Sequence, residues 1–193
     1  FDRANTKSTG FARTYPLPAT NATGTPVDAA RCPYPPPPSP YAVYGEAGAD
    51  KFGSSLAVSE DGLIMAVGAP HNDGDGTGTD DAGHVRVFEF NDTSKEWEQM
   101  GLDIDGQEAQ ERLGNSVSLS ANGNVVAVGV QLSDYSGINT GHVCVFQWNT
   151  TAWNQQGACI EGVAAQDFSS SSVSLSADGT VLAVGAPQNG IKS

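Results

Sequence analysis

One stretch of sequence occurs three times and constrains the fold more than any other feature of this chain. The three copies are Phe52–Pro70, Arg112–Gln131 and Asp167–Pro187. Each copy contains two short alternating apolar runs joined by a polar turn, which reads Glu-Asp-Gly, Ala-Asn-Gly or Ala-Asp-Gly. Alternating runs on both sides of such a turn predict an antiparallel β-hairpin. The copies start at Phe52, Leu113 and Phe168, so the spacings are 61 and 55 residues, which suits one four-stranded sheet unit and not one solenoid coil.

The similarity between the first two copies continues beyond the hairpin. A GHVxVF run begins at Gly83 and again at Gly141, and a WxQxGxxIxG run begins at Trp97 and again at Trp153. Each repeat is therefore predicted to contain four strands. The predicted strands are Ser54–Ser59, Leu63–Gly68, His84–Phe90 and Glu96–Ile104, followed by Ser116–Ser120, Val125–Val130, His142–Trp148 and Trp153–Ile160. The third copy is predicted to form a hairpin only, and no helix is predicted because apolar residues do not recur at a spacing of 3.6.

Residues 1–40 differ in composition from residues 41–193 and predict an extended arm. They end in a proline run, Pro33–Pro40, which favours a polyproline II rod. This run is a stiff spacer, or it resembles the hydroxyproline-rich glycoproteins of plant and algal extracellular matrix, which would make Pro36, Pro37, Pro38 and Ser39 sites of O-glycans. Tyr41–Tyr44 aligns with Leu102–Asp105 and predicts the outer strand of a blade whose other strands lie elsewhere.

The repeat motifs resemble a known family. Phe52-Gly53 precedes Gly68-Ala69-Pro70, Leu113-Gly114 precedes Gly129-Val130-Gln131, and Phe168-Ser169 precedes Gly185-Ala186-Pro187. These pairs are similar to FG-GAP repeats, the blades of integrin alpha-chain propellers and of many secreted bacterial and algal proteins. The resemblance covers residues 41–193 and implies an all-β fold of two full β-propeller blades plus a half blade. Propellers use at least four blades, so this incomplete ring is either a fragment of a longer propeller or is completed by neighbouring molecules.

The resemblance also raises the question of calcium. FG-GAP repeats often bind Ca²⁺ through a DxDxDGxxD loop between the first two strands, but the corresponding loops here are too short and hold at most two carboxylates. A different loop, between the second and third strands, alternates carboxylates with glycines, a composition that can wrap a hard cation in oxygen ligands. Its candidate calcium ligands are Asp73, Asp75, Asp80 and Asp81. The alternative is a solvated acidic loop without an ion.

Charge and sequons restrict the partners. The net charge is −13 with only nine basic residues, so a nucleic-acid backbone would be repelled and nucleic acid is excluded as a partner. No apolar run approaches the roughly 18 residues of a membrane span, and the start of the chain shows no signal pattern, so we expect no membrane insertion and a mature or trimmed N-terminus. Sequons at Asn21, Asn91 and Asn149 predict a secreted glycoprotein.

The cysteines agree with an oxidising compartment. Cys144 and Cys159 flank the turn at residues 149–152 almost symmetrically and predict a cross-strand disulfide. The equivalent positions in the first repeat, Arg86 and Asp103, predict an ion pair instead. Cys32 is left over, which suggests a bond to another chain or an unpaired thiol. The alternative is three reduced cysteines in a cytosolic protein.

No catalytic constellation is evident in the sequence. His84 and His142 occupy equivalent places before the third strands, which favours a packing or hydrogen-bonding role over metal binding. We therefore expect a non-enzymatic extracellular or cell-surface structural glycoprotein, a subunit of a fibre, cell wall or surface appendage whose partners are copies of itself or related extracellular proteins. The alternative is an integrin-like or lectin-like recognition module that binds a protein or a glycan.

Overall fold

The computed structural model describes residues 10–14, 42–73, 81–131, 140–162 and 170–187. Within these residues the protein is all-β, as predicted, and every strand pair is antiparallel. None of the described residues forms a helix long and apolar enough to cross a membrane. The strands form two five-stranded sheets and two isolated pairs.

The strands follow one another in chain order. An N-terminal pair consists of β1 (Phe11–Arg13) and β2 (Ala42–Tyr44). Unit 1 contains β3 (Ser55–Val58), β4 (Ile64–Ala69), β5 (His84–Asn91), β6 (Glu96–Gln99) and β7 (Ile104–Asp105). Unit 2 contains β8 (Leu113–Leu119), β9 (Val125–Val130), β10 (His142–Trp148), β11 (Trp153–Gln155) and β12 (Ile160–Glu161). A C-terminal hairpin consists of β13 (Ser172–Leu175) and β14 (Leu182–Gly185).

The two units share one topology. In each, the strands pair in sequence order, and the short last strand pairs with the beginning of the third strand, so that β7 lies on β5 and β12 lies on β10. The fourth strands were predicted as continuous, which is wrong. Each breaks in two at a glycine with a positive φ, Gly101 (75°) and Gly157 (70°), a backbone conformation that interrupts a strand and suits glycine.

The tight hairpin turns have a common hydrogen-bonding pattern. In the first, Ser59 Oγ donates to Asp61 Oδ1 (2.6 Å) and accepts from the Ile64 N–H (2.9 Å), while Gly62 adopts a φ of 76°. The same bonds recur at Ser120–Asn122 and Ser176–Asp178. The Ser59 hydroxyl and the Leu63 N–H lower the pKa of Asp61. This local chemistry explains why all three hairpins form where the sequence predicts them.

The core lies between successive sheets. Val85 and Val87 of β5 belong to one buried cluster with residues of β9, including Val126 and Val128, whereas Phe88 packs on the opposite face with Phe52. Both faces of β5 therefore carry buried apolar side chains. Each fully buried valine contributes about 1.5–3 kcal/mol relative to an exposed one, so packing between sheets contributes much of the stability.

The strand β1 was not predicted, because it falls within residues 1–40, which were interpreted as an extended arm. It pairs with β2 in the register Phe11↔Tyr44, Ala12↔Val43 and Arg13↔Ala42. Ala12 and Val43 are buried against Phe52 of unit 1. The described part of the arm is thus folded onto the body of the protein.

Candidate assembly site

Consecutive units approach each other closely at a glycine in the second strand. A Cβ atom at Gly68 would overlap the carbonyl oxygen of Gly114, and one at Gly129 would lie 2.7 Å from that of Ser170. A serine in the first strand bonds the same oxygen: Ser55 Oγ donates to Gly114 O, and Ser116 Oγ donates to Ser170 O, both at 2.7 Å. We call this arrangement the glycine–serine joint.

The C-terminal hairpin carries the residues of this joint without a described neighbour. Gly185 and Ser172 stand at the positions of Gly68 and Ser55. The three described atoms nearest to a Cβ at Gly185 all belong to Ser172, whose side chain is exposed. The backbone at Gly185 does not require a glycine. Its small size would instead allow another strand to approach this face of the hairpin closely.

The edge of β14 is open as well. Within the described residues β14 pairs only with β13, whereas β4 and β9 each pair on both sides. Val184 is 37% exposed, but the equivalent Val67 and Val128 are fully buried. Because Ser176 N–H donates to Val181 O, Val184 falls in a non-hydrogen-bonded pair with Val173, and its own N–H and C=O point away from β13.

The N-terminal pair packs against unit 1 in the same way that β5 and β7 pack against unit 2. The Gly45 N–H donates to Gly10 O (2.8 Å), as the Gly106 N–H donates to Gly83 O (2.8 Å). A Cβ at Gly10 would overlap Phe52 O, as one at Gly83 would overlap Leu113 O. Sequence comparison could have found this strand, because Gly-Phe-Ala-Arg at residues 10–13 matches Gly-His-Val-Arg at residues 83–86.

The β1 edge is the counterpart of the β14 edge. Within the described residues β1 pairs with β2 only, although its equivalents β5 and β10 also pair with a second strand. Phe11 is 48% exposed, whereas His84 at the equivalent position is 1% exposed. Among the described strands, β1 and β14 therefore each have one edge without a pairing strand.

The two described sequons lie in equivalent turns of units 1 and 2. Asn91 ends β5, and Asn149 follows β10, so each lies in the turn that leads to the next strand. Asn149 is exposed, and its Oδ1 accepts from both the N–H (3.0 Å) and the hydroxyl (2.9 Å) of Thr151. Asn91 is half-buried, and its Nδ2 donates to Glu98. Glycosylation stays a prediction, and Asn149 is the more accessible of the two.

The Cys144–Cys159 disulfide is present, with a Cα–Cα distance of 4.4 Å. The predicted ion pair at the equivalent positions of unit 1 is wrong. Arg86 donates instead to Tyr44 O (2.7 Å), a hydrogen bond that links β5 to the N-terminal pair, and its guanidinium lies 4.5 Å from the centre of the Phe52 ring in a cation–π contact. Asp103 accepts from Gln99 Nε2 (2.6 Å).

His84 and His142 both lie in at least partly buried surroundings that suit a structural role. His84 is almost fully buried, and its Nδ1 lies 3.4 Å from Asp103 Oδ2. Burial lowers the pKa of His84 and also that of His142, so both are neutral near pH 7. Glu46, His84 and Asp103 lie close enough to one another to hold an ion, but Arg86 Nη1 already lies 3.5 Å from Glu46 Oε1.

The structure brings together two of the four candidate calcium ligands. Asp73 Oδ1 accepts from the Asp81 N–H (3.2 Å). The Asp81 carboxylate lies 3.1 Å from His71 Nδ1 and 3.7 Å from Arg112 Nη2. These groups compete with a cation for Asp81, and calcium binding stays a prediction. The predicted sites outside the described residues are Asp75, Asp80, Asn21, Pro36, Pro37, Pro38, Ser39 and Cys32.

An acidic cleft lies where unit 1 leads into unit 2. Its volume is about 280 Å³, and its walls include His142, Phe146 and the disulfide. Its carboxylates come from Asp105, Glu108, Glu111 and Glu161. Glu111 is 7% exposed, and its Oε2 accepts from the backbone N–H groups of Gln107 and Glu108. Such a cleft suits a cationic group with an apolar part.

The comparisons with known proteins add no relative. No family model matches the chain, and no curated protein matches it. The FG-GAP resemblance therefore rests on the motifs in the sequence.

Proposed function

We propose that this protein is a non-enzymatic extracellular structural glycoprotein, a subunit of a fibre, cell wall or surface appendage whose copies complete one another's propeller blades. The observation that carries the proposal is the C-terminal hairpin, which has an open edge at β14 and an unfilled glycine–serine joint. An open edge strand is a template for another strand, and strand addition is a common mode of assembly.

Other features support an extracellular location. A disulfide between strands persists in oxidising compartments, and Cys144 and Cys159 form one here. Asn91 and Asn149 lie in equivalent turns between strands, positions that suit N-glycans on a secreted protein. A net charge of −13 keeps single copies soluble before they assemble.

Electron microscopy of the purified native protein across a concentration series tests the proposal. We expect filaments or ordered arrays above a critical concentration. Discrete monomers at every concentration would refute assembly. Intact mass before and after glycosidase treatment tests the glycoprotein part, since an unchanged mass and no carbohydrate would refute it.

The acidic cleft favours a second candidate, an extracellular recognition module. Carboxylates around His142 and Phe146 suit a basic peptide or another cationic ligand. Calorimetric titration with a Lys/Arg-rich peptide distinguishes the candidates. Saturable binding that Glu161→Gln weakens, in a protein that stays monomeric, would favour recognition, whereas filaments without such binding would favour the structural role.

A further inference from the structure

The two open edges are complementary halves of one unit. In a full unit the first three strands pair in order, as β3, β4 and β5 do, and two short strands, β6 and β7, both pair with the third. The C-terminal hairpin corresponds to the first and second strands, and the N-terminal pair corresponds to the third strand and the last short strand, so together they supply the strands of a unit except a counterpart of β6. From this, and resting on the proposed function, we infer that β14 of one copy pairs with β1 of a second copy to form one unit shared by two molecules.

Units 1 and 2 define the register of this pairing. In unit 1 the pairs are Ala69↔His84, Gly68↔Val85, Val67↔Arg86 and Ala66↔Val87, and in unit 2 they are Val130↔His142, Gly129↔Val143, Val128↔Cys144 and Ala127↔Val145. Placing β14 and β1 in the same frame gives Ala186↔Phe11, Gly185↔Ala12, Val184↔Arg13 and Ala183↔Thr14.

The hydrogen-bonding groups agree with this register. The outward N–H and C=O of Val184 meet β1 as those of Val67 meet β5. The pairing also covers Phe11 and Val184, whose exposure contrasts with the burial of His84 and Val67 at the same positions. Phe11 and Val184 are exposed in a single copy and would be buried inside the unit that two copies share.

The glycine–serine joint supports the same pairing of β14 with β1 by a separate observation. In the shared unit Gly185 lies beside Gly53 of the second copy, as Gly68 lies beside Gly114. Ser172 then donates to the Gly53 carbonyl, as Ser55 donates to that of Gly114. A hairpin with no neighbour would need neither residue, so two separate features, the edge and the face, identify the same partner.

A disulfide between copies tests the register. The Thr14↔Ala183 pair is non-hydrogen-bonded, with Cα atoms about 4.5 Å apart, a distance that a disulfide spans. We would place Thr14→Cys in one preparation and Ala183→Cys in another, both with Cys32→Ser, and oxidise them separately and mixed. A covalent dimer is expected only in the mixture. Val184→Cys in place of Ala183→Cys is the control, since its side chain points to the opposite face and should not cross-link with Thr14→Cys.

The double variant, with both cysteines in one chain, gives the decisive gel. A ladder of covalent multimers on a non-reducing gel supports the inference. A monomer of increased mobility would overturn it, because the chain would then close on itself. Filaments of the unmodified protein combined with no cross-link would refute this join but leave the structural function standing, whereas neither filaments nor cross-links would refute both.

A second test uses a variant that introduces no cysteine and that should fold normally. Val184→Pro removes only the outward N–H and keeps the bonds between β13 and β14, as edge prolines do. We expect it to remain a folded monomer and to raise the critical concentration about 2- to 12-fold, the effect of losing one backbone hydrogen bond between copies, while Val184→Thr assembles like the unmodified protein. Assembly of Val184→Pro at the unmodified concentration would overturn the inference.

Discussion

Replacing Gly185 with alanine is the most discriminating single substitution, and Gly129→Ala is its matched control. Neither glycine has a positive φ, so alanine strains neither backbone. In both places the added Cβ meets the hydroxyl of the serine opposite, Ser172 or Ser116. The difference is that at Gly129 it also lies 2.7 Å from Ser170 O and 3.0 Å from Ser170 Cβ, within one chain.

The magnitude follows from this difference. Forcing a methyl group into a packed joint costs about 1–3 kcal/mol, and the entropic gain of Gly→Ala is shared by both variants. Gly129→Ala should therefore be less stable than Gly185→Ala by about 1–3 kcal/mol. For a chain of this length that is a difference of about 2–12 °C in Tm. In Gly185→Ala the same cost falls on assembly, which should weaken about 5- to 150-fold.

Two measurements check these values. Thermal melts of dissociated protein, below the critical concentration, give the stability of the single chain. Analytical ultracentrifugation gives the association constant. A Gly185→Ala variant that melts as low as Gly129→Ala would refute the reasoning, because the hairpin face would then already be covered within one chain.

Three further predictions concern the disulfide, the turns and the sequons. Replacing Cys144 and Cys159 with serine opens a loop with a sequence separation of 15 and should cost about 3 kcal/mol, measurable as a lower urea midpoint; an unchanged midpoint would contradict it. The Ser176 hydroxyl lowers the pKa of Asp178 to about 2, so its carboxylate stabilises the folded chain above pH 3.8 and this stability is lost as the pH falls towards 2. Asp178→Asn should flatten that part of the acid-unfolding curve, and a curve of unchanged slope would argue against the assignment. Asn149→Gln should remove one glycan from the intact mass of secreted protein, and an unchanged mass would show that Asn149 carries none.

The sequence predicted the elements whose cause is local. The three hairpins form because a serine and an Asp or Asn bond each other across a glycine turn, as Ser59 and Asp61 do. The disulfide was predictable for the same reason, since Cys144 and Cys159 flank one short turn.

Elements whose cause is distant are harder to predict from the sequence, and the four-residue match of Gly10–Arg13 to Gly83–Arg86 is a weak signal for β1. The three-residue strand β1 forms only because β2, beyond residues 14–41, brings a pairing partner. The charges of Arg86 and Asp103 predicted an ion pair, but the Phe52 ring and the Tyr44 carbonyl offer Arg86 a partly dehydrated site from another element. Burial and three-dimensional neighbours decided these cases, and neither is visible in a linear pattern.

The unequal ends of the chain have a consequence for growth. In the assembly proposed above, a fibre joined through β14 and β1 would be polar: one tip would always show an unpaired β14 edge, and the other an unpaired β1 edge. Like tips cannot join, because each lacks the strands that the other supplies. A cell could therefore control length from one tip alone, with a terminator that carries only one of the two halves, and a small amount of Val184→Pro protein should act as such a terminator at a single tip.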